Sequence, residues 1–295
     1  MLVSRLPAAP LSLFVERLWT SERGALPHQR ERSLPTGCVD IVIPLLERQD
    51  ILRYGSEADI AARRLRGPIV QGAHDRVSVR GVEGPSRVAG VHFKPGGAAA
   101  LFGPQLRELR NRTELLESVW GLAARHLQEQ LASAASPHEV LKRLERFLTR
   151  RLQSATPADP VIHHALSSID RSPADALIEP IQQASGVGPA QFIRRFEAAV
   201  GLTPKRYMRV RRFNALLPAL VRCGPRDWAQ VAADGGYYDQ SHLIHEFRRL
   251  AGTTPANYLP MQPDQPTHVA IEKISNTPSP PPPTLPGIQS PRSSM

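Results

Sequence analysis

The side chains with chemical potential in this 295-residue chain are ten histidines, two cysteines and a basic excess that leaves a formal net charge of +10. His242 and His245 stand three residues apart, which on a helix puts both imidazoles on one face, where they could share a metal. No glutamate joins them in an H-E-x-x-H arrangement, so a structural or outward-facing binding role is the stronger reading. His74, Asp75 and His92 fall in a strand-rich stretch and could meet in a pocket, as in metal-binding barrels. Cys38, within Thr36-Gly37-Cys38-Val39-Asp40, is a candidate thiol nucleophile, although a buried free cysteine is the commoner case. Cys38 and Cys223 are far apart without metal-ligand spacing, which argues against a disulfide framework or structural zinc and fits a reducing cytoplasm. Gly96-Gly97 after Pro95 reads as a turn, since no Gly-Lys-Ser/Thr follows to cradle phosphate. Neither enzyme activity nor a cofactor or metal is expected.

A second chemistry is denser. Between positions 194 and 212 stand Arg194, Arg195, Lys205, Arg206, Arg209, Arg211 and Arg212 against one acid, Glu197. Such a cluster suits the phosphates of a polyanion, and the bland alternative is a solvated helix face. A further basic run on the helix expected over 140–152, from Lys142 to Arg151, reads as a solvated face.

These groups need elements to position them. The stretch 11–19 is amphipathic enough for a short helix. The apolar run 39–46 reads as a buried strand, and 76–80 and 88–93 as two more. A string of helices then extends to about residue 153. Two prolines and small residues over 155–160 mark a domain junction. From about residue 261 the chain turns to Pro, Ser and Thr, with four prolines at 280–283, and reads as a disordered tail. No run is long and apolar enough for a membrane helix and nothing near Met1 reads as a secretory signal, so a soluble, cytoplasmic, nucleoid-associated protein is expected.

An offset of 51 residues exposes an internal repeat. Phe192 pairs with Leu243, Phe196 with Phe247, Gly201 with Gly252, Thr203 with Thr254, Pro204 with Pro255 and Tyr207 with Tyr258. Each copy has a helix with small or apolar residues, a Gly-containing turn, a helix with apolar residues at i and i+4, then Gly-x-Thr-Pro into another helix. Asp239 is placed to cap the second copy's helix, Gly252 to end it in the left-handed conformation, and Pro255 to start the next. Small residues Ala229, Ala232 and Ala233 let two helices approach closely. This is helix-turn-helix geometry, with the second helix offered to a major groove.

The stretch Ala232-Ala-Asp-Gly-Gly-Tyr-Tyr-Asp-Gln-Ser-His-Leu-Ile-His-Glu-Phe247, with Gly252-Thr-Thr-Pro255-Ala-Asn-Tyr258, resembles the C-terminal signature of AraC/XylS-type regulators. The resemblance covers about 100 residues and implies an all-helical domain with two helix-turn-helix units joined by one long helix, here 204–221. Leu34-Pro-Thr-Gly-Cys38-Val-Asp-Ile-Val42, Gly90-Val-His-Phe-Lys-Pro-Gly96 and Asn111-Arg-Thr-Glu-Leu-Leu-Glu-Ser-Val-Trp120 are similar to an N-terminal module of some such regulators, a sensor with no implied ligand. The expected class is thus α+β: a mixed strand and helix sensor domain over 1–155, an all-α double helix-turn-helix domain over 156–262 and a tail over 263–295.

The outward side of each recognition helix supplies the base-reading candidates: Ala190, Gln191, Ile193 and Arg194 in the first unit, and Gln240, Ser241, Ile244 and His245 in the second. Gln can pair bidentately with adenine, Ile can touch a thymine methyl, and Arg194 suits guanine. Lys205, Arg206, Arg209, Arg212 and Arg248 are phosphate candidates, with the helix starts at Thr203 and Thr254. The first unit departs from the resemblance. Gln182 replaces a tightly packed Ala, Ser185 an apolar residue, Gly188 an N-capping Ser, and Arg195 an inward apolar residue. The expected function is sequence-specific transcription regulation on double-stranded promoter or operator DNA. A small-molecule effector, RNA polymerase and a second copy of the chain are further expected partners. The alternatives are a small-molecule-binding or interaction protein with a decayed DNA-binding half, and a metal-dependent enzyme in the first domain.

Overall fold

The computed structural model describes residues 1–152, 159–222, 227–262 and 266–271. Most of the expected junction, Cys223 and the proline run lie outside them.

Among the described residues eleven strands form two antiparallel sheets: β1 (Leu2–Arg5), β2 (Val15–Arg23), β3 (Arg30–Ser33), β4 (Asp40–Pro44), β5 (Ile51–Tyr54), β6 (Arg63–Leu65), β7 (Ile69–Gln71), β8 (Ser78–Gly81), β9 (Ser86–Phe93), β10 (Thr113–Leu115) and β11 (His268–Ile271). One sheet has the order β1-β2-β9-β4-β7-β10 and the other β11-β3-β8-β5-β6. The three strands expected from apolar runs are β4, β8 and β9. The helix expected over 11–19 is corrected: only Leu11–Leu13 makes a 3-10 turn, and Val15–Arg23 is a strand. A register shift between Val15 and Arg17 breaks the two-residue alternation. The buried Leu11, Val15 and Leu18 thereby acquire a 4-then-3 spacing that imitates a helix.

Helices α1 (Ala99–Phe102), α2 (Glu117–Trp120), α3 (Leu122–Ala132) and α4 (Pro137–Leu152) follow β9. They cover the outer face of the first sheet, where Ile41, Ile43, Val91 and Phe93 share one core with Leu127, Leu141, Leu144 and Leu148. Burying one such side chain is worth about 1.5–3 kcal/mol.

The C-terminal region contains α5 (Pro160–Arg171), α6 (Ile178–Ala184), α7 (Pro189–Val200), α8 (Pro204–Arg222), α9 (Trp228–Asp234) and α10 (Gln240–Ala251). It is built into the first domain. Phe192, Phe196, Leu202 and Tyr207 belong to the same apolar cluster as the first sheet. Phe213, Leu217 and Phe247 form a second cluster with Leu34 and Val269. The Gly37 backbone, at φ 75°, comes so close to Tyr207 that an added Cβ would lie 3.2 Å from its ring.

The tail expected from 263 onward is corrected in part. Residues 268–271 form β11 and pair with β3, Val269 opposite Arg32. Val269 is buried against α8 and α10, which supplies the reason a short segment ahead of a proline-rich stretch is ordered. The chain therefore leaves the first domain, builds the helical one, and returns to finish the first domain's second sheet.

Candidate nucleic-acid interface

The two copies of the repeat superpose in their local chemistry. Phe192 and Phe196 are buried in one, Leu243 and Phe247 in the other. Gly201 and Gly252 both end their helices in the left-handed conformation, at φ 83° and 70°. Thr203 Oγ1 accepts from the Arg206 N–H, and Thr254 Oγ1 from the Asn257 N–H. Phe196 meets Tyr207 at 5.7 Å, and Phe247 meets Tyr258 at 5.5 Å. Six positions spaced by 51 residues thus recur as one packing unit.

The copies differ at their recognition-helix starts. Asp239 caps α10, its carboxylate accepting from the His242 N–H at 2.7 Å. Gly188 gives α7 no side-chain cap, and Pro189 at the first turn removes one donor that needs none. Gln182 donates to the Val187 carbonyl at 2.6 Å across the turn, and the Ser185 hydroxyl also serves backbone groups there. α6 buries no residue fully, whereas α9 buries Ala232. The first unit thus lacks both the side-chain cap and the fully buried first-helix residue that the second has. Arg195, an inward position, forms two hydrogen bonds to Asp159, at 2.6 Å from its Nε, and that pairing holds the Asp159 carboxyl below the usual range.

Ala190, Gln191, Ile193 and Arg194 are all exposed on α7, as are Gln240, Ser241 and His245 on α10; Ile244 is half-buried. Inward and outward sides therefore fall where the apolar spacing puts them. Tyr238, 93 % exposed in the turn before α10, joins this surface without having been singled out from sequence. A turn residue has no periodicity to mark it. His242 is exposed, but its Nδ1 accepts from the Tyr238 N–H at 3.2 Å, which separates it in role from His245.

The basic cluster is corrected by acids distant in sequence. Arg209 binds Glu246 through two hydrogen bonds of 2.7 Å. Arg206 binds Asp75 of the first domain at 2.7 Å. Arg211 binds Asp170, which also accepts from Tyr207. Arg206 and Arg209 are therefore not free cations here. Arg212 donates to the Pro173 carbonyl at 3.4 Å, while Lys205 and Arg248 are exposed. Thr203 starts α8 against the first domain, the neighbouring Gly201 lying close to the Leu106 carbonyl. Thr254 starts only the 3-10 turn Pro255–Asn257, because Pro260 disfavours helix at Leu259.

Among the described residues no group of three or more His, Cys, Asp or Glu side chains is placed to hold a metal ion, and the first-domain histidines have other partners. His74 lies 2.6 Å from the Gly72 carbonyl, Asp75 binds Asn111 and Arg206, and His92 pairs with Asp40. Cys38 is buried, and burial pushes its thiol up to about 12, which suppresses the nucleophilic thiolate.

The fold thus places a double helix-turn-helix domain on a two-sheet domain. Residues 181–261 match the family described as a helix-turn-helix domain, and residues 4–114 match a domain of unknown function (DUF6597). Two proteins described as AraC-like transcription regulators, from Streptomyces antibioticus and Streptomyces lividans, are 32 % and 31 % identical over 102 residues. The alignment covers 34 % of this chain and 33 % of each relative, so the chain spans about a third of their length. ToxT from Vibrio cholerae aligns with a TM-score of 0.42 and 11 % identity over 82 % of this chain and 97 % of its own. The AraC-like transcriptional activator CuxR aligns at 0.27 and 16 % over 72 % and 86 %. Residues 181–261 thus form a helix-turn-helix domain similar to that of AraC-like regulators, and residues 4–114 match a domain of unknown function.

Proposed function

We propose that this chain is a sequence-specific DNA-binding transcription regulator that reads a promoter or operator with the outer faces of α7 and α10. The observation that carries the reading is the division of each helix: Phe192, Phe196, Leu243 and Phe247 are buried, while Gln191, Arg194, Gln240 and His245 face solvent. α8 joins the two units and, at 19 residues, is about 28 Å long. That length suits two helices entering major grooves one turn, about 34 Å, apart. Arg194 is assigned to guanine and Gln240 to adenine, with Ala190, Gln191, Ile193, Ser241, Ile244 and His245 completing the base-facing set. Lys205, Arg212 and Arg248 are assigned to phosphate.

Regulation by a small molecule through the two-sheet domain completes the reading, supported by the shared cores that join that domain to both units. Contact with RNA polymerase, a homodimer and a cytoplasmic, nucleoid-associated location belong to the same reading. Gel-shift titration of the full chain on duplex DNA at rising salt tests it. Release of counterions from several phosphates gives a steep fall of log affinity with log salt; a flat response contradicts the proposal.

A further inference from the structure

Most of the chain's basic excess lies outside the helical domain. Residues 1–155 carry 23 Lys and Arg against 16 Asp and Glu, whereas residues 156–262 carry 12 against 9. Part of that excess stands beside the first recognition helix. The 3-10 segment Gly103–Leu109 and the turn after it bring Arg107, Arg110 and Arg112 together with one acid, Glu108. Leu106 and Leu109 of this segment are buried, while Arg107 and Arg110 are exposed. In a 3-10 turn, side chains three apart eclipse, so these two arginines share a side. The segment packs along the end of α7, where a Cβ added to Gly201 would lie 3.3 Å from the Leu106 carbonyl oxygen.

The outward side of α7 runs into these arginines. At about 100° per residue, Ala190, Arg194 and Glu197 fall within about 60° of one another. Glu197 thus continues the side assigned to bases, and its carboxylate lies 3.8 Å from Arg110 Nη1. The Arg110 side chain keeps 42 % of its surface accessible beyond that contact. The segment is also anchored from behind. Asn111, at φ 55°, adopts the left-handed conformation that few residues other than glycine take. Its side chain accepts from the Asp75 N–H at 3.0 Å and donates to the Asp75 carboxylate at 2.7 Å. The same carboxylate holds Arg206, next to the exposed Lys205 on the first turn of α8. One acid therefore ties the arginine segment to the helix that joins both units.

We propose that Arg107 and Arg110 of the first domain bind DNA phosphates beside the groove that α7 enters, which makes the two-sheet domain part of the DNA-binding surface. The inference rests on the DNA-reading function proposed above and extends its phosphate contacts across the domain boundary. A helix about 10–12 Å across fills a major groove about 12 Å wide, so a guanidinium flanking its outward side meets the phosphate wall rather than base edges. Arginine's fork of donors matches phosphate oxygens. Arg110 also offsets the charge of Glu197, an anion that DNA would otherwise repel.

The test is a fluorescence-anisotropy titration of the full chain on random-sequence duplex DNA across a range of salt. Arg107→Gln and Arg110→Gln are each expected to flatten the slope of log affinity against log salt by about 0.9, and together by about 1.8. The pair Arg107→Lys and Arg110→Lys is expected to keep the slope. Lys142→Gln with Arg146→Gln, an equal loss of charge from the exposed side of α4, is expected to leave it unchanged. Melting curves report whether each variant folds, and Arg107→Gln alone, which breaks no ion pair among the described residues, carries the test if the double variant does not. A folded glutamine variant with the wild-type slope, a lysine pair that behaves like the glutamine pair, or an equal flattening by the α4 variant overturns the proposal. With a steep wild-type slope, any of these removes this inference alone. A flat wild-type slope removes the DNA-binding function and this inference with it.

Discussion

Arg209 of α8 and Glu246 of α10 are locked by two parallel hydrogen bonds of 2.7 Å, an ion pair that sets the roll of the second recognition helix on the helix joining the units. The position 51 residues before Glu246 is Arg195, which binds Asp159 in the same two-bond manner. Each copy of the repeat therefore has an ionic post, and in the first copy it stands where the family resemblance leads one to expect an apolar residue. The polarity is reversed between them: the recognition helix supplies the cation in the first unit and the anion in the second.

Glu246→Gln is expected to cost about 2 kcal/mol in urea unfolding, because the half-buried Arg209 loses its counter-charge while the shape is kept. The joint change Arg209→Met with Glu246→Leu is expected to recover most of that loss, since it removes both desolvation penalties at once. A double variant as unstable as the single one contradicts the role given to this pair.

The contact between Asp75 and Arg206 is expected to make domain docking acid-sensitive. Burial acts to raise the Asp75 carboxyl, but hydrogen bonds from Asn111 and Arg206 and the Arg206 charge outweigh it and hold it below the usual range. A depressed carboxyl contributes stability above its unfolded value of about 3.9, and that contribution is lost as pH falls through the folded value. Urea midpoints of the wild type and Asp75→Asn should differ at pH 7 and converge below about pH 4. A gap that persists undiminished in acid assigns the effect to something other than ionisation.

Cys38 is expected to resist a disulfide reagent such as Ellman's until the protein unfolds. A Cys223→Ser variant isolates its signal. Its labelling rate should follow global unfolding, since burial pushes the thiol up to about 12. Rapid labelling of the native protein refutes the buried, inert assignment.

The repeat was legible because close packing demands the same side chains in each copy. Phe196 with Phe247 and Tyr207 with Tyr258 could be matched from spacing alone, and Asp239 and Gly252 announced both ends of α10. The helical domain's outward faces followed from the same periodicity. What escaped the sequence was tertiary. Arg206 and Arg209 looked like free cations because their acids, Asp75 and Glu246, lie 131 and 37 residues away. The strand β2 was hidden by a bulge, and β11 by the polar composition that surrounds it. Four residues pairing with a distant edge leave almost no local signal.

β11 gives a direct check on that last point. Val269 is buried between β3's sheet and the helical domain. Val269→Asp is expected to destabilise the chain by about 2–4 kcal/mol, from lost burial and an unpaired buried charge. An unchanged melting temperature would mean that the returning strand is dispensable.

The central claim is that α7 and α10 read two separate blocks of bases. Selection of the full chain on random duplex DNA tests it most directly, run in parallel with Arg194→Ala and Gln240→Ala. The account predicts two enriched blocks about one helical turn apart, with Arg194→Ala erasing preference in one and Gln240→Ala in the other, each at a cost of about 1–3 kcal/mol. No enriched motif, or a motif unchanged by both substitutions, contradicts it.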